Sequence, residues 1–292
     1  MDRIIEKAAI LMEALPYIQE FRDSTVVVKL GGSVIEDPEK TRGVIRDIVF
    51  MECAGMKPLI VHGGGKAISR ALEQADIKSC FIEGLRYTSD SAIKVVDDVL
   101  HNQVNSNLVD IMNEFNGHPE SVSGKKIIRA QQKTVRDNDT GETRDLGHVG
   151  EIDSVDTESL TSLLDKNIVP IITPLARGGD GTVYNTNADT AACRIAAALK
   201  ARKLAFLSDV PGILRDKDDE NSLISTMHLD EIEDAISKGI IASGMVPKVK
   251  SAAEAVRAGT RKVHMIDGRI QHSLLLEIFT KKGIGTQILN GD

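Results

Sequence analysis

Lys29 stands inside the apolar run Thr25-Val26-Val27-Val28-Lys29-Leu30, immediately ahead of Gly31-Gly32-Ser33. A run so rich in β-branched residues reads as a buried strand. An ammonium there is costly to bury unless an anion meets it, which makes Lys29 the strongest functional residue on physical grounds. Two more segments combine glycines with a charge or an imidazole: His62-Gly63-Gly64-Gly65 and Ser243-Gly244-Met245-Val246-Pro247-Lys248. Successive glycines let backbone N–H groups converge on one point, and a following helix adds the positive end of its dipole. Phosphates and carboxylates bind such places. Each segment alone is equally explained as a tight strand-to-helix turn; three together, two with lysine, favour anion binding. The Walker A pattern is missing, because Gly65-Lys66 is followed by Ala67 and Ile60 holds the place of its leading glycine; GxGxxG is missing too.

A fourth segment, Tyr184-Asn185-Thr186-Asn187-Ala188-Asp189-Thr190-Ala191-Ala192, opens a helix. Asn185 or Asn187 suits the N-cap. Asp189 falls in the first turn, where a carboxylate either orients nearby lysines or complements the helix dipole; spacing does not choose between the two. Ser208-Asp209-Val210-Pro211-Gly212 ends an apolar strand and is either a nucleotide contact or a turn.

These residues need a frame that gathers strand ends. Ile4, Ile5, Ala8, Leu11, Met12 and Leu15 recur at helical spacing, so an amphipathic helix precedes the first strand, with Pro16 expected to kink or restart it. Strand, glycine turn and helix then follow twice, through Thr25–Val28, Glu39–Met51 and Pro58–Val61. Such alternation argues for parallel strands with helical crossovers, whose ligands collect at the carboxyl ends of the strands. A long helix is expected over Ser89–Phe115, and an antiparallel excursion over Ser121–Ser154 with turn signals at Asp137–Gly141 and Leu146-Gly147. The alternation resumes at Ile168–Ile172 and runs on through Ala188–Leu199, Leu204–Leu207, Leu229–Lys238, Lys248–Ala258 and Lys262–Ile266. Arg177-Gly178-Gly179-Asp180-Gly181 reads as an exposed hairpin tip near a lobe boundary.

The bulk properties narrow the function further. A length of 292 residues with 41% hydrophobic composition suits one two-lobed unit. Cys53, Cys80 and Cys193 are scattered and odd in number, so neither a disulfide framework nor a zinc site is indicated. The apolar stretches are short and charge-interrupted, giving no membrane span or signal peptide and an expected cytoplasmic location. A net charge of -7 and few aromatic residues argue against nucleic acid.

The motifs KLGGS at Lys29–Ser33, VHGGG at Val61–Gly65, YNTNADTAA at Tyr184–Ala192, LSDVPGIL at Leu207–Leu214 and GMVPKV at Gly244–Val249 resemble the amino acid kinase superfamily, in that family's order. GLRYT at Gly84–Thr88, DLGHVGEI at Asp145–Ile152 and the stretch from IDGR to GIGTQI narrow the likeness to its N-acetylglutamate kinases. The resemblance implies an α/β fold, an open and mainly parallel eight-stranded sheet flanked by helices on both faces, in two lobes. Residues 1–22 would be an oligomerisation helix, 23–176 a lobe for the acylamino-acid substrate and dimer contacts, and 177–292 a lobe for ATP. Lys29 and Lys248 would flank the transferring phosphoryl group and Asp189 would hold both. Gly64, Gly65, Arg86 and Asn185 would bind N-acetyl-L-glutamate, and Gly31, Gly32, Ser208 and Asp209 would face the nucleotide. No protein-held metal is implied, since Mg2+ travels with ATP, and His62 need not act as a base.

The N-terminal helix resembles the arginine-sensitive branch, in which it interlaces dimers into a hexameric ring. Tyr17, His264, Glu277 and Gly283 occupy the positions of that branch's L-arginine site, and a PII-type regulator is a candidate partner. An ordinary packing helix is the plainer explanation. Tyr87, Lys66 and Lys125-Lys126 depart from the family pattern. Carbamate, glutamate 5-, aspartate and uridylate kinases share the lysine and glycine motifs, and a non-catalytic arginine or nucleotide sensor is the remaining alternative.

Overall fold

The β-branched and aliphatic runs assemble into one eight-stranded sheet in the computed structural model, which describes residues 2–136, 143–241, 244–280 and 283–291. The turn expected at 137–141 and residue Ser243 lie outside the described residues. In chain order the strands are β1 (Thr25–Leu30), β2 (Lys57–His62), β3 (Pro119–Val122), β4 (Val169–Ile172), β5 (Lys203–Ser208), β6 (Thr226–His228), β7 (Val263–Asp267) and β8 (Thr286–Leu289). Their spatial order is β6-β8-β7-β5-β1-β2-β4-β3. Every neighbouring pair is parallel except β7 with β8. β1 lies in the middle, with Val26, Val27, Val28 and Leu30 wholly buried, as an unalternating apolar run requires.

The two faces of β1 belong to different cores. Val26, Val28 and Leu30 pack with the Pro38–Cys53 helix and its neighbours, whereas Val27 packs with Ala191, Ala192 and Ile195 of the Ala188–Ala198 helix and with Val249 and Ala252 of the Val246–Arg257 helix. Because strand side chains alternate, Lys29 emerges on the same face as Val27. Two helices cover that face, and their N-terminal turns carry Asp189 and Lys248.

Three local expectations change. The N-terminal helix runs unbroken over Asp2–Phe21 with Pro16 inside it, so it does not restart. The long helix is present but interrupted by a π-helical turn, Val99–Asn105, between Asp90–Asp98 and Ser106–Glu114. The antiparallel excursion begins later than expected, because Pro119–Val122 joins the main sheet beside β4 as a parallel strand. The chain leaves that sheet at Gly124, where a Cβ would meet the Thr173 and Leu175 carbonyls at 2.3 and 2.2 Å. Ile128–Arg136 and Thr143–Val155 then pair antiparallel and close with Leu175–Arg177 and Val183–Asn185 into a four-stranded ring beside the sheet. The Arg177–Gly181 tip forms as read, with the Asp180 side chain accepting from the Thr182 amide. Cys53, Cys80 and Cys193 are free, and no described helix is long and apolar enough to cross a membrane.

Candidate active site

β1, β2 and β5 end side by side, with Leu30 in register with His62 on one flank and with Leu207 on the other. The glycines beyond them let the chain turn at van der Waals range. Gly31 donates its amide to the Leu207 carbonyl at 2.9 Å, and a Cβ at Gly31 would sit 2.6 Å from that oxygen. Its amide is thus committed within the fold, while Gly32 next to it has open space around its α-carbon.

Lys29 is buried and its Nζ lies 2.7 Å from Asp189 Oδ1. Lys248 Nζ stands 3.9 Å from Asp189 Oδ2 and 5.8 Å from the centre of the Phe206 ring. Asn187, not Asn185, caps the helix that carries the carboxylate: its Oδ1 accepts from the Asp189 and Thr190 amides at 2.9 and 3.0 Å. Burial opposes ionisation of Asp189, but the charges of Lys29 and Lys248 and the Lys29 contact outweigh it and hold the carboxyl below the usual aspartate range. Burial likewise lowers the Lys248 ammonium, with Asp189 working in the opposite direction. The outcome is a carboxylate holding two ammoniums at one strand edge. Ser208 is buried at the end of β5 and its Oγ has no hydrogen-bond partner among the described residues, whereas Asp209 is exposed.

A cavity of about 210 Å³ opens beside this point, lined by Gly63, Gly64, Gly65, Arg86, Asn185 and Ala188 among others. It brings together all four positions expected to bind the acceptor. Arg86 is buried and its guanidinium donates to the Gly65 carbonyl at 2.9 Å and to Ser69 Oγ at 2.8 Å, contacts Ser79 Oγ, and lies 4.6 Å from the Phe81 ring centre. None of these partners is a carboxylate, and burial alone pulls its pKa down from the ordinary arginine value. Asn185 Nδ2 reaches Thr88 Oγ1 at 3.4 Å. An adjoining cavity of about 420 Å³, which shares Asn187 with the first, is lined by Asp189, Lys248 and Arg194.

Ser69, Ser79 and Phe81, which orient Arg86, carried no signal in the sequence. Asn105 carried none either: it is one of four side-chain amides within residues 102–107, yet it is wholly buried against His62.

A separate cavity of about 330 Å³ joins Tyr17 of the N-terminal helix to Lys203, His264, Glu277 and Gly283. His264 Nδ1 and Glu277 Oε1 are 2.6 Å apart, and Glu277 Oε2 also accepts from the Ile284 and Gly285 amides. Gly283, at a φ of +63°, approaches that carboxylate so closely that a Cβ would meet Oε1 at 2.7 Å. Burial lowers the Lys203 ammonium to about 8.

The chain belongs to the amino acid kinase family, whose family model matches residues 24–267. Full-length relatives include acetylglutamate kinases: that of Carboxydothermus hydrogenoformans is 45% identical over 292 residues, covering 99% of both chains, and that of a Thermoanaerobacter species is 45% identical over 286 residues, covering 97% of this chain and 93% of the other. Among solved structures, N-acetylglutamate synthase from Neisseria gonorrhoeae, complexed with coenzyme A and N-acetyl-glutamate, superposes with a TM-score of 0.84 at 25% identity; the match covers 98% of this chain and 64% of the synthase.

Proposed function

We propose that the chain transfers the γ-phosphoryl group of ATP to the γ-carboxylate of N-acetyl-L-glutamate, giving N-acetyl-L-glutamyl 5-phosphate and ADP, an early step of arginine biosynthesis. The observation that carries this reading is the pairing of two sites: the Lys29–Asp189–Lys248 cluster, and beside it a cavity holding a buried Arg86 whose guanidinium contacts are a carbonyl, two serine hydroxyls and an aromatic ring. Full-length relatives named acetylglutamate kinase support the choice of acceptor.

The chemistry follows from the groups present. An acceptor γ-carboxylate with a pKa near ~4.3 is ionised at neutral pH, so an acceptor oxygen attacks the γ-phosphorus without a general base and the bond to the ADP oxygen breaks. Charge on the equatorial and bridging oxygens would be met by Lys29, Lys248 and the amides of Gly32 and Gly64. Arg86 and Asn185 would hold the acceptor's other carboxylate, with Gly65 beside them. Gly31, Ser208 and Asp209 belong to the nucleotide side, and the unpartnered Ser208 hydroxyl suits a ligand contact there. Two ammoniums and a carboxylate committed to them suit phosphate oxygens rather than a protein-held cation, so Mg2+ would be carried by the nucleotide and would offset part of its charge.

A regulatory reading is favoured by the cavity between the N-terminal helix and the Glu277 segment. Glu277 and Tyr17 could receive L-arginine as a feedback inhibitor there, with His264 and Gly283 shaping the site. The exposed Ile5, Leu11, Met12 and Leu15 of the same helix suit assembly of dimers into a hexamer. A cytoplasmic location, the division into lobes at about residue 177 and a PII-type partner belong to the same reading.

The test is ATP consumption with Mg2+ across N-acetyl-L-glutamate, L-glutamate, L-aspartate, carbamate and UMP, with hydroxylamine trapping acyl phosphates as hydroxamates. Turnover confined to N-acetyl-L-glutamate, with hydroxamate formed, supports the assignment and calls for an arginine titration. Turnover of another acceptor overturns the substrate, and none at all favours the sensor.

A further inference from the structure

His62 ends β2 directly before the glycine triplet, and its ring is wholly buried. Its Nδ1 lies 3.0 Å from the Gly63 carbonyl oxygen, and its Nε2 lies 3.1 Å from Asn105 Nδ2. A carbonyl can only accept, so Nδ1 carries the hydrogen. Burial drives the imidazole down to about 4, so the ring is neutral at working pH and Nε2 is left bare to accept. Asn105 supplies that hydrogen and donates from the same Nδ2 to the Ile171 carbonyl at 2.8 Å, which fixes the orientation of its amide. The chain of donors therefore runs one way, from Asn105 through His62 to Gly63.

The end of that chain bears on the site. In a planar trans peptide the C=O and the following N–H point in opposite directions. Anchoring the Gly63 oxygen toward His62 therefore turns the Gly64 N–H away from the buried ring. Gly64 lines the cavity that also holds Arg86 and Asn185. The same helix clamps the loop from the apolar side, since a Cβ on Gly64 would lie 2.7 Å from Leu100 Cδ2 and 3.6 Å from Val104 Cγ2. Leu100, Val104 and Asn105 all belong to the π-helical turn Val99–Asn105. An extra residue in a turn rotates the remainder of the helix by roughly 100° about its axis, and such insertions recur at functional sites.

We propose that His62 and Asn105 form a positioning pair, presented by the π turn, that aims the Gly64 amide at the acceptor oxygen undergoing phosphorylation. Neither residue exchanges a proton with substrate. The inference rests on the cavity being the acceptor site, and it assigns to the histidine a fixed tautomer rather than a titrating role.

The experiment has two arms. In the full-length protein labelled with 15N-histidine, the His62 ring should show a protonated Nδ1 and a bare Nε2 from pH 6 to 9; an Nε2–H, or titration within that range, overturns the pair. In steady-state kinetics Asn105→Ala and His62→Leu should lower kcat on the order of tenfold to a hundredfold. His62→Asn, which keeps an N–H near the Nδ1 position, should recover kcat to within about fivefold of wild type. The shape of the kcat pH profile should be unchanged throughout. Rates within twofold of wild type for Asn105→Ala and His62→Leu, or loss of an acid limb when His62 is replaced, overturn the inference. Failure of the acceptor assignment appears separately, as absence of turnover by the wild type, and the ring-nitrogen spectrum then decides the pair without any variant.

Discussion

Lys29 Nζ and Asp189 Oδ1 are in contact at 2.7 Å although their residues are 160 positions apart in the chain, one on the central strand and one in the first turn of a helix crossing that strand's face. The carboxylate is what fixes the lysine in a buried setting, and it reaches toward Lys248 with its other oxygen. Lys29→Met and Asp189→Asn should each lower kcat on the order of 10²- to 10³-fold. Lys29→Arg should not restore it, because a planar fork cannot replace a compact ammonium here. Rates above a tenth of wild type for Lys29→Met would remove Lys29 from the transfer step.

Arg86 is held by Gly65, Ser69 and Ser79, none of which offsets its charge. Arg86→Ala should raise KM for the acceptor on the order of 10²-fold, the loss expected when one partner of a buried charge pair is removed. KM for ATP should move less than threefold. Equal changes in both constants would show a general collapse of the site.

The buried His62 gives a signed pH dependence. Its pKa falls from 6.5 to about 4 on folding, so between those values the unfolded chain binds the extra proton. Stability is therefore full above about pH 6.5 and decreases as pH falls toward 4, by about 3 kcal/mol from this group. Denaturant titrations of wild type and His62→Asn should converge across that window. A constant difference would mean that His62 is not buried neutral.

The adjacent glycines Gly31 and Gly32 should behave oppositely on substitution. Gly31→Ala drives a Cβ to 2.6 Å from the Leu207 carbonyl and should cost about 1–3 kcal/mol by forcing β1 and β5 apart. Gly32→Ala meets nothing within 4 Å and should leave the melting temperature within a degree or two. If it lowers kcat without lowering stability, the Gly32 position is close to the phosphates.

Leu11 and Met12 of the N-terminal helix are 69% and 64% exposed, far more than isolated packing residues need. Leu11→Glu should lower the assembled mass in light scattering while leaving the melting temperature of the smaller species unchanged. An unaltered mass would remove the helix from the assembly.

The sheet was legible because its central strands are uninterrupted apolar runs, and Lys29 was legible because it breaks one of them. Asp189 could be read as a first-turn carboxylate but not as the partner of two lysines, since that depends on which strand face the helix covers. The choice between Asn185 and Asn187 as cap turned on a two-residue difference in where the helix begins. The start of the ring beside the sheet was not legible, because Pro119–Val122 is too short and too polar to announce a parallel edge strand. The surroundings of Arg86 were hidden for another reason: serines and a phenylalanine on exposed segments look like ordinary surface.

The π turn at Val99–Asn105 gives spacing a meaning that side-chain identity does not carry. Deleting one residue from that turn would leave His62, the glycine triplet, Arg86 and both lysines untouched, yet would swing Asn105 about a quarter-turn away from the imidazole it meets. A single lost codon there should therefore mimic a substitution at Asn105. In this stretch the number of residues is itself inherited information.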